Sequence, residues 1–244
     1  IPFGQVSAYA GISGGGVPEN RAAIAAFLQR FGFARVQNGS DAQNIIAAGL
    51  RGRDGIAAIL GTGSVVFSVR GGTLRQVGGY GHLLGDCAGG YELGRACIMA
   101  AAAQRDGSGP ETAITDAVER RAGGKIADRL DAFYTGGKTY IASFAPILFA
   151  AYRGGDAAAS GILRENLSGF ARRLNAALRD FEGSPDVPVV LAGGLTHEED
   201  ILLPLLRPML SGCFRLTILR EKPVTGALFL AGLPGKSIKG GRAL

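Results

Sequence analysis

The chain has 244 residues, of which 47% are hydrophobic and 19% charged, and it contains 40 glycines. This composition excludes a disordered chain and is typical of a globular, loop-rich protein with one large domain or two small ones. The net charge is +6, but the lysines and arginines are scattered and no aromatic–basic patch accompanies them. This pattern argues against nucleic acid as a partner.

The apolar stretches and the cysteines indicate the compartment. The longest apolar stretch, residues 141–152, contains Pro146 and is shorter than the ~20 residues that a bilayer requires, so no membrane partner is expected. The three cysteines, an odd number without a C-x-x-C pair, predict reduced thiols and a cytoplasmic location. Neither of the two histidines has a metal-ligand partner at useful spacing, and no metal ligand is assigned.

The first 53 residues show a strand–helix–strand–helix pattern. Their apolar periodicity predicts a strand over 5–10, a helix over 19–31, a strand over 34–37 and a helix over 42–50. The connections are short, among them a glycine-rich turn at 13–16, and this arrangement predicts a parallel sheet. A polar break at 51–54 is the predicted domain boundary.

A series of glycine loops follows, over residues 54–99. In chain order its pieces are a buried strand at 56–60, the loop G-T-G-S at 61–64, a β-hairpin with strands at 65–69 and 74–77, the loop G-G-Y-G at 78–81, L-G-D at 84–86 and a helix that begins near Gly89. Glycines let the backbone turn tightly and approach an anion closely, so the first loop suits a phosphate.

The remainder of the chain is mostly helical. The patterns predict, in order, a helical region over 111–181 interrupted by glycine pairs, a buried strand over 187–191 that ends in A-G-G, a helix over 197–210, a strand over 214–219, a helix over 224–230 and a mobile basic tail over 236–244. Residues 54–235 are therefore predicted to form a second unit, followed by the tail.

The order of these pieces resembles the sugar kinases of the BadF/BadG/BcrA/BcrD ATPase group, in particular N-acetylglucosamine and glucosamine kinases of the actin/hexokinase/Hsp70 superfamily. The resemblance covers most of the chain. It implies an α/β protein with the ribonuclease-H-like actin/hexokinase fold, in which residues 1–53 are the remaining part of an incomplete N-terminal lobe and 54–235 are the C-terminal lobe. It also implies an ATP-dependent sugar kinase that uses ATP and Mg²⁺ on a small amino sugar. A homodimer contact, if one forms, is expected in the helical region 111–181.

Asp41 stands where a strand ends and a helix starts. From position alone, an N-cap that accepts hydrogen bonds from free N–H groups is the favoured interpretation. In the kinases that the chain resembles, a strand ends in N-D-A and the aspartate is the catalytic base; here the matching residues are Ser40-Asp41-Ala42. The resemblance therefore implies that Asp41 is the base, a role that it can combine with capping, although Ser40 replaces the usual asparagine.

Two glycine loops match the nucleotide-binding loops of the family. Taken alone, each is also typical of a tight turn between a strand and the next element. The resemblance implies that the first loop cradles the β- and γ-phosphates through Gly61, Thr62, Gly63 and Ser64. It implies that Gly193 and Gly194, at the end of the strand over 187–191, bind adenosine.

Asp86 lies in a glycine loop, where a carboxylate can accept hydrogen bonds from two sugar hydroxyls, and an N-cap role is equally compatible with its spacing. The resemblance implies that Asp86 binds the sugar, together with the segment Gly79, Tyr80 and Gly81, in which tyrosine replaces the family's tryptophan. The family usually continues L-G-D-E-G-S-G, whereas Cys87 follows Asp86 here. The choice between glucosamine and N-acetylglucosamine, and the hydroxyl that is phosphorylated, therefore stay open.

The family's first phosphate loop, an aspartate-bearing glycine-rich hairpin, has no counterpart in this sequence. Without the aspartate that the family uses to organise Mg²⁺, we expect this polypeptide alone to have weak or no activity, and we expect an exposed sheet edge. Two alternatives stay open. One is an ATPase activator of a 2-hydroxyacyl-CoA dehydratase, because the segment over residues 86–90, which contains Cys87, faintly resembles the cysteine segment of those activators. The other is a non-catalytic sugar or nucleotide sensor.

Overall fold

The first part of the chain folds as the predicted strand–helix repeat. The computed structural model describes residues 1–232 and 239–240. Its first elements are strand β1 at Ser7–Gly11, helix α1 at Pro18–Gln29, strand β2 at Arg35–Gly39 and helix α2 at Asp41–Leu50. β1 and β2 pair in parallel, which confirms the predicted parallel arrangement. Within the described residues β1 pairs with β2 alone, so its other edge has no strand partner, as expected.

A mixed six-stranded sheet, in the order β7-β6-β3-β4-β5-β8, forms the centre of the second part. Its strands are β3 at Gly55–Leu60, β4 at Ser64–Arg70, β5 at Thr73–Gly78, β6 at Val187–Ala192, β7 at Phe214–Ile218 and β8 at Lys239–Gly240. β3, β4 and β5 are antiparallel neighbours, which confirms the predicted hairpin, while β6 runs parallel to β3 and to β7. The carboxyl ends of β3 and β6 therefore meet at one edge of the sheet.

Helices cover both faces of this sheet, with α8 on one face and α2 on the other. The helices that follow β5 are α3 at Gly90–Arg105, α4 at Ile114–Ala122, α5 at Leu130–Thr135, α6 at Gly137–Ala142, α7 at Ala145–Arg153, α8 at Ala157–Leu178, α9 at Glu199–Leu206 and α10 at Val224–Gly232. The predicted single helix over 197–210 is wrong at both ends, because 3₁₀ turns flank α9. Pro208 has no backbone donor and follows the end of α9 directly, which favours the end of the regular helix there, whereas the helix continues through Pro204.

The core lies mainly on one face of the large sheet, where α3, α7 and α8 pack with the fully buried side chains of Phe144, Phe149 and Phe170. On the opposite face, Ile46 and Leu50 of α2 pack against the sheet in a second, smaller cluster. α2 therefore joins the first unit to the sheet, with its N-terminus beside the carboxyl end of β3.

The last described helix returns to the first unit. α10 packs on α2 and β1, and its Gly226 approaches the backbone of Asn44 so closely that an added methyl group would overlap the Asn44 carbonyl oxygen. The tail predicted over 236–244 lies outside the described residues except for Lys239–Gly240, whose backbone pairs with β5. The domain boundary at 51–54 stays a prediction, and it falls in the turn between α2 and β3.

Candidate active site

An open cleft of about 670 Å³ lies between the first unit and the carboxyl end of β3. One wall comes from the glycine-rich turn after β1, from α1, and from the junction of β2 and α2. The other comes from the loop between β3 and β4, from the segment after β5, and from α6. The cleft brings together most of the predicted site residues, namely Asp41, Gly61, Thr62, Gly63, Ser64, Gly79 and Asp86.

Asp41 is the first residue of α2 and is exposed to the cleft. The N-cap interpretation of Asp41 is wrong by one residue, because Ser40 occupies the N-cap position, although Ser40 makes no side-chain capping bond. Instead, the Asp41 carboxylate accepts a hydrogen bond from the N–H of Ala42, at 3.0 Å. The free N–H groups at a helix N-terminus stabilise negative charge, so this position suits an ionised carboxylate that also faces a ligand.

The loop between β3 and β4 is held by the start of α3. The N–H groups of Gly90 and Tyr91 donate to the carbonyl oxygens of Gly61 and Thr62, both at 2.8 Å. The N–H of Gly61 donates to the carbonyl of Gly63 at 2.9 Å, so this amide is already engaged within the loop.

The donors that remain available in this loop belong to two residues. Thr62 is exposed, and within the described part of the chain neither its hydroxyl nor the N–H groups of Thr62 and Gly63 have a hydrogen-bond partner. These donors face the cleft and suit an anion such as a phosphate.

Ser64 has a structural contact instead of a free hydroxyl. Its buried Oγ donates to the carbonyl of Cys87 at 2.7 Å and accepts from Nη1 of Arg173 at 3.4 Å. Arg173, on α8, also donates to the carbonyl of Gly85. One guanidinium therefore ties the phosphate-loop strand to the segment that carries Asp86.

Sequence reasoning missed Arg173, although a signal was present. Arg173 lies three residues after Phe170 and beside Leu174, both of which are fully buried on the inner face of α8. An arginine at that edge of an apolar stripe can extend its charged head past the core.

Asp86 is buried, with 8% of its surface exposed, and it lies between the two glycine loops. Its Oδ1 accepts from the N–H of Gly81 at 3.2 Å, and its Oδ2 lies so close to Gly63 that a methyl group there would overlap it. The left-handed backbone of Gly81, with φ of 96°, turns this amide towards the carboxylate. Asp86, the residue predicted to bind the sugar, therefore lies against the loop that is predicted to bind phosphate.

Four predicted residues do not line the cleft. Gly81 contributes through the hydrogen bond to Asp86, and Tyr80 lies outside the cleft with 55% of its surface exposed. Gly193, with φ of 103°, packs against the backbone of Leu60 at the end of β3, and Gly194 faces open space. Both glycines therefore adjoin the phosphate loop, and their predicted adenosine role stays a prediction.

Two cationic residues of the cleft were not foreseen. Lys138 lies on α6, which packs tightly on α3 because Gly94 leaves room for the carbonyl of Ile141. Arg21 lies on α1 in the opposite wall. Neither carries a local sequence signal, since each reaches the cleft only through the packing of distant elements.

A mixed sheet covered by helices on both faces, with a glycine loop and carboxylates in one cleft, defines an α/β protein of the actin-like ATPase fold, as predicted. The chain belongs to the BadF/BadG/BcrA/BcrD ATPase family, whose profile matches residues 10–231.

Among curated proteins, the chain is similar to an N-acetylmuramic acid/N-acetylglucosamine kinase from Clostridium acetobutylicum, with 30% identity over 160 residues. The match covers 64% of this chain and 52% of the relative, so the chain spans about half the relative's length.

Two solved structures are similar over most of the chain. A provisionally assigned N-acetylglucosamine kinase from Chromobacterium violaceum has a TM-score of 0.72 and 28% identity, and the match covers 91% of this chain and 75% of that one. A second such protein, from Porphyromonas gingivalis, has a TM-score of 0.70 and 22% identity over the same shares, which supports the fold alone.

The described residues contain neither a metal-binding cluster nor a membrane-spanning helix. Within residues 1–232 and 239–240, no three or more His, Cys, Asp or Glu side chains group in a way that could hold a metal ion. In the same part of the chain, no helix has the length and apolar character needed to cross a membrane.

Proposed function

We propose that this chain carries out ATP-dependent phosphorylation of a hydroxyl group on an amino sugar, either glucosamine or N-acetylglucosamine. The observation that carries the proposal is the convergence of Asp41, the free donors of Thr62 and Gly63, and the Asp86 carboxylate on one cleft. The similarity to proteins named as N-acetylglucosamine kinases supports the sugar class.

Each group supplies one requirement of phosphoryl transfer. The Asp41 carboxylate takes the proton of the attacking sugar hydroxyl while a new O–P bond forms and the bond to the leaving ADP oxygen breaks. Asp86 accepts hydrogen bonds from sugar hydroxyls and so orients the sugar. The hydroxyl of Thr62 and the neighbouring amides hold phosphate oxygens in the transition state.

The residues present fit the phosphate groups of ATP, because the loop leaves its outward donors without partners. We assign the adenosine to the side of Gly193 and Gly194, and the sugar to the side of Gly79, Tyr80 and Gly81. The family implies Mg²⁺, which binds through few protein oxygens and keeps several waters. The described residues hold no ligand cluster, so we assign no magnesium ligand and no step to the metal.

The test is ADP release by the complete natural protein with ATP and Mg²⁺, against a panel of hexoses and amino sugars, with an Asp41→Asn variant in parallel. We expect one amino sugar to drive turnover. Because the amide cannot accept the hydroxyl proton, Asp41→Asn should lower kcat by about 10²- to 10⁴-fold. Asp106→Asn is the control, since Asp106 is exposed at the far end of α3, and it should keep full activity.

If no sugar raises ADP release above the sugar-free rate, the kinase proposal fails. Binding of a sugar or nucleotide without turnover would then favour the sensor, and iron content would favour the dehydratase activator. The cytoplasmic location and the homodimer contact over 111–181 stay predictions.

A further inference from the structure

The loop of residues 61–64 offers only neutral donors to a ligand in the cleft. The groups that remain available are the hydroxyl of Thr62 and the N–H groups of Thr62 and Gly63. ATP bound to Mg²⁺ still carries net negative charge, and phosphoryl transfer requires that this charge be neutralised as well as held in place. A cation on the same wall of the cleft would supply what the loop lacks.

Helix α6, which carries Lys138, and the loop of residues 61–64 pack on the same residue of α3, Gly90. The N–H of Gly90 donates to the carbonyl of Gly61 at 2.8 Å. A methyl group built on Gly90 would lie 3.2 Å from that carbonyl oxygen and 3.5 Å from the Cβ of Ala142 in α6. α6 therefore lies beside the loop, on the same wall of the cleft.

Lys138 lies on the face of α6 that is turned to this contact. Lys138 and Ala142 are four residues apart, and the Cβ atoms of such a pair lie on one face of a helix, about 5–6 Å from each other. Lys138 also lines the cleft together with Gly61, Thr62 and Gly63. Its side chain therefore projects from the wall that carries the loop.

The ammonium group of Lys138 is free to meet a ligand. Lys138 is exposed, and within the described part of the chain it has neither a hydrogen bond nor an ion pair. In contrast, Arg95 and Arg105 of the neighbouring helix α3 each pair with a carboxylate. The flexible stem of a lysine without such a partner can turn to a ligand without breaking an internal bond.

Arg21, the other cation among the described residues that line the cleft, belongs to the opposite wall. Its backbone carbonyl accepts from the side-chain amide of Asn38, at 2.8 Å, near the end of the strand that leads into Asp41. This bond ties the helix of Arg21 to the side of the proposed base. Of the two cations, Lys138 is therefore the one placed beside the loop.

We propose that Lys138 binds the phosphate chain of ATP, with its ammonium group donating to phosphate oxygens that the loop of residues 61–64 also holds. The inference rests on the part of the proposed function that puts ATP in this cleft, and it adds a residue to that site. Lysine suits phosphate because it is a compact positive charge with three donors. Lys138 thus neutralises charge, while Thr62 and Gly63 supply neutral hydrogen bonds.

The test measures the Kd of ATP and of AMP, each with Mg²⁺, for the complete natural protein and for Lys138→Met by isothermal titration calorimetry. Lys138→Met should raise the Kd of ATP by about tenfold or more, because a charge-assisted hydrogen bond is lost while the length of the side chain is kept. AMP lacks the two outer phosphates, so its Kd should change less than about twofold. Lys138→Arg should keep most of the affinity for ATP, because it keeps the charge.

Lys125→Met is the matched control, because Lys125 is an exposed lysine that precedes a 3₁₀ turn and does not line the cleft. It should bind both nucleotides as the wild type does. Thermal unfolding of each variant shows that the fold is intact.

Three results would overturn the inference: an unchanged Kd of ATP in Lys138→Met, an equal rise of the Kd of ATP and of AMP, or a change confined to the KM for the sugar, which would assign Lys138 to the sugar. The two Kd values are measured without a sugar. If no sugar raises ADP release, the kinase proposal therefore fails by itself, and the comparison of ATP with AMP still decides the role of Lys138.

Discussion

At the scale of single residues, Gly63 shows why the loop of residues 61–64 and the segment that carries Asp86 cannot vary independently. The Asp86 carboxylate occupies the space where a side chain at position 63 would lie, and it is held there by the N–H of Gly81. Asp86 can occupy its observed position only because Gly63 has no Cβ. This requirement is separate from any effect of Gly63 on the flexibility of the loop.

Gly63→Ala should push the Asp86 carboxylate away from Gly81, because the methyl group and Oδ2 would overlap. We expect the KM for the sugar to rise by about tenfold through weakened hydrogen bonds to the hydroxyls, with a smaller effect on the KM for ATP. Steady-state kinetics with each substrate varied in turn provides the measurement.

Gly161→Ala is the control for that variant. Gly161 lies in α8 with open space around it, and alanine in a helix interior should stabilise the fold by about 0.5–1 kcal/mol without changing either KM. An unchanged sugar KM in Gly63→Ala would show that the carboxylate of Asp86 does not hold the sugar from the observed position.

Sequence reasoning located the residues that lie in ordered motifs and missed those that arrive from elsewhere. Asp41 and Asp86 stand beside a strand end and a glycine loop, so a local pattern marks them. Arg21, Lys138 and Arg173 reach the cleft from three different helices, and their position depends on long-range packing that no local pattern encodes.

At the scale of elements, helix α8 covers the sheet and also contacts two loops of the cleft through Arg173. Its residue Arg173 contacts Ser64 at the start of β4 and Gly85 in the loop before Asp86, and its side chain passes so close to Gly78 that a side chain there would meet it. A helix that is distant in sequence thereby sets the spacing of the two loops.

Arg173→Met should leave α8 in place while releasing the carbonyl of Gly85. Because Gly85 precedes Asp86, we expect the KM for the sugar to rise by roughly tenfold and more than the KM for ATP. Arg173→Lys should restore part of the affinity by supplying one donor.

Arg172→Met is the matched control, since Arg172 is exposed on the outer face of α8 and contacts Ser168 of the same helix. It should behave as the wild type. A lower unfolding temperature of Arg173→Met with both KM values unchanged would instead assign Arg173 a purely structural role.

Most of the helices and strands could be predicted from the pattern of apolar residues. The hairpin of β4 and β5, the strands β3 and β6 and the helix α2 follow from apolar runs that glycines bound. The predicted helix over 197–210 is too long at its C-terminal end because its apolar residues keep a helical period beyond Leu206, where Pro208 cannot donate a backbone hydrogen bond.

At the scale of the whole molecule, the order of elements along the chain differs from their order in space. α10 follows the large sheet in sequence but packs on α2 and β1 of the first unit. Periodicity predicted this helix, but its partner could not be predicted, because an apolar helix of that length can pack against either unit.

The contact between α10 and α2 also bears on the site, because α2 begins at Asp41. Gly226→Ala would place a methyl group against the backbone of Asn44, which cannot move without displacing α2. We expect overpacking to cost about 2 kcal/mol and to lower the unfolding temperature by several degrees. We also expect a lower kcat, because Asp41 would shift relative to the phosphate loop.

Gly232→Ala tests whether this loss arises from the contact itself. Gly232 is the last residue of α10 and has open space around it, so alanine there should leave both the unfolding temperature and kcat near those of the wild type. If Gly226→Ala lowered the unfolding temperature but left kcat unchanged, α10 would stabilise the first unit without positioning Asp41, the proposed base. If both fell together, α10 would be part of what holds Asp41, the proposed base, in its position beside the loop of residues 61–64.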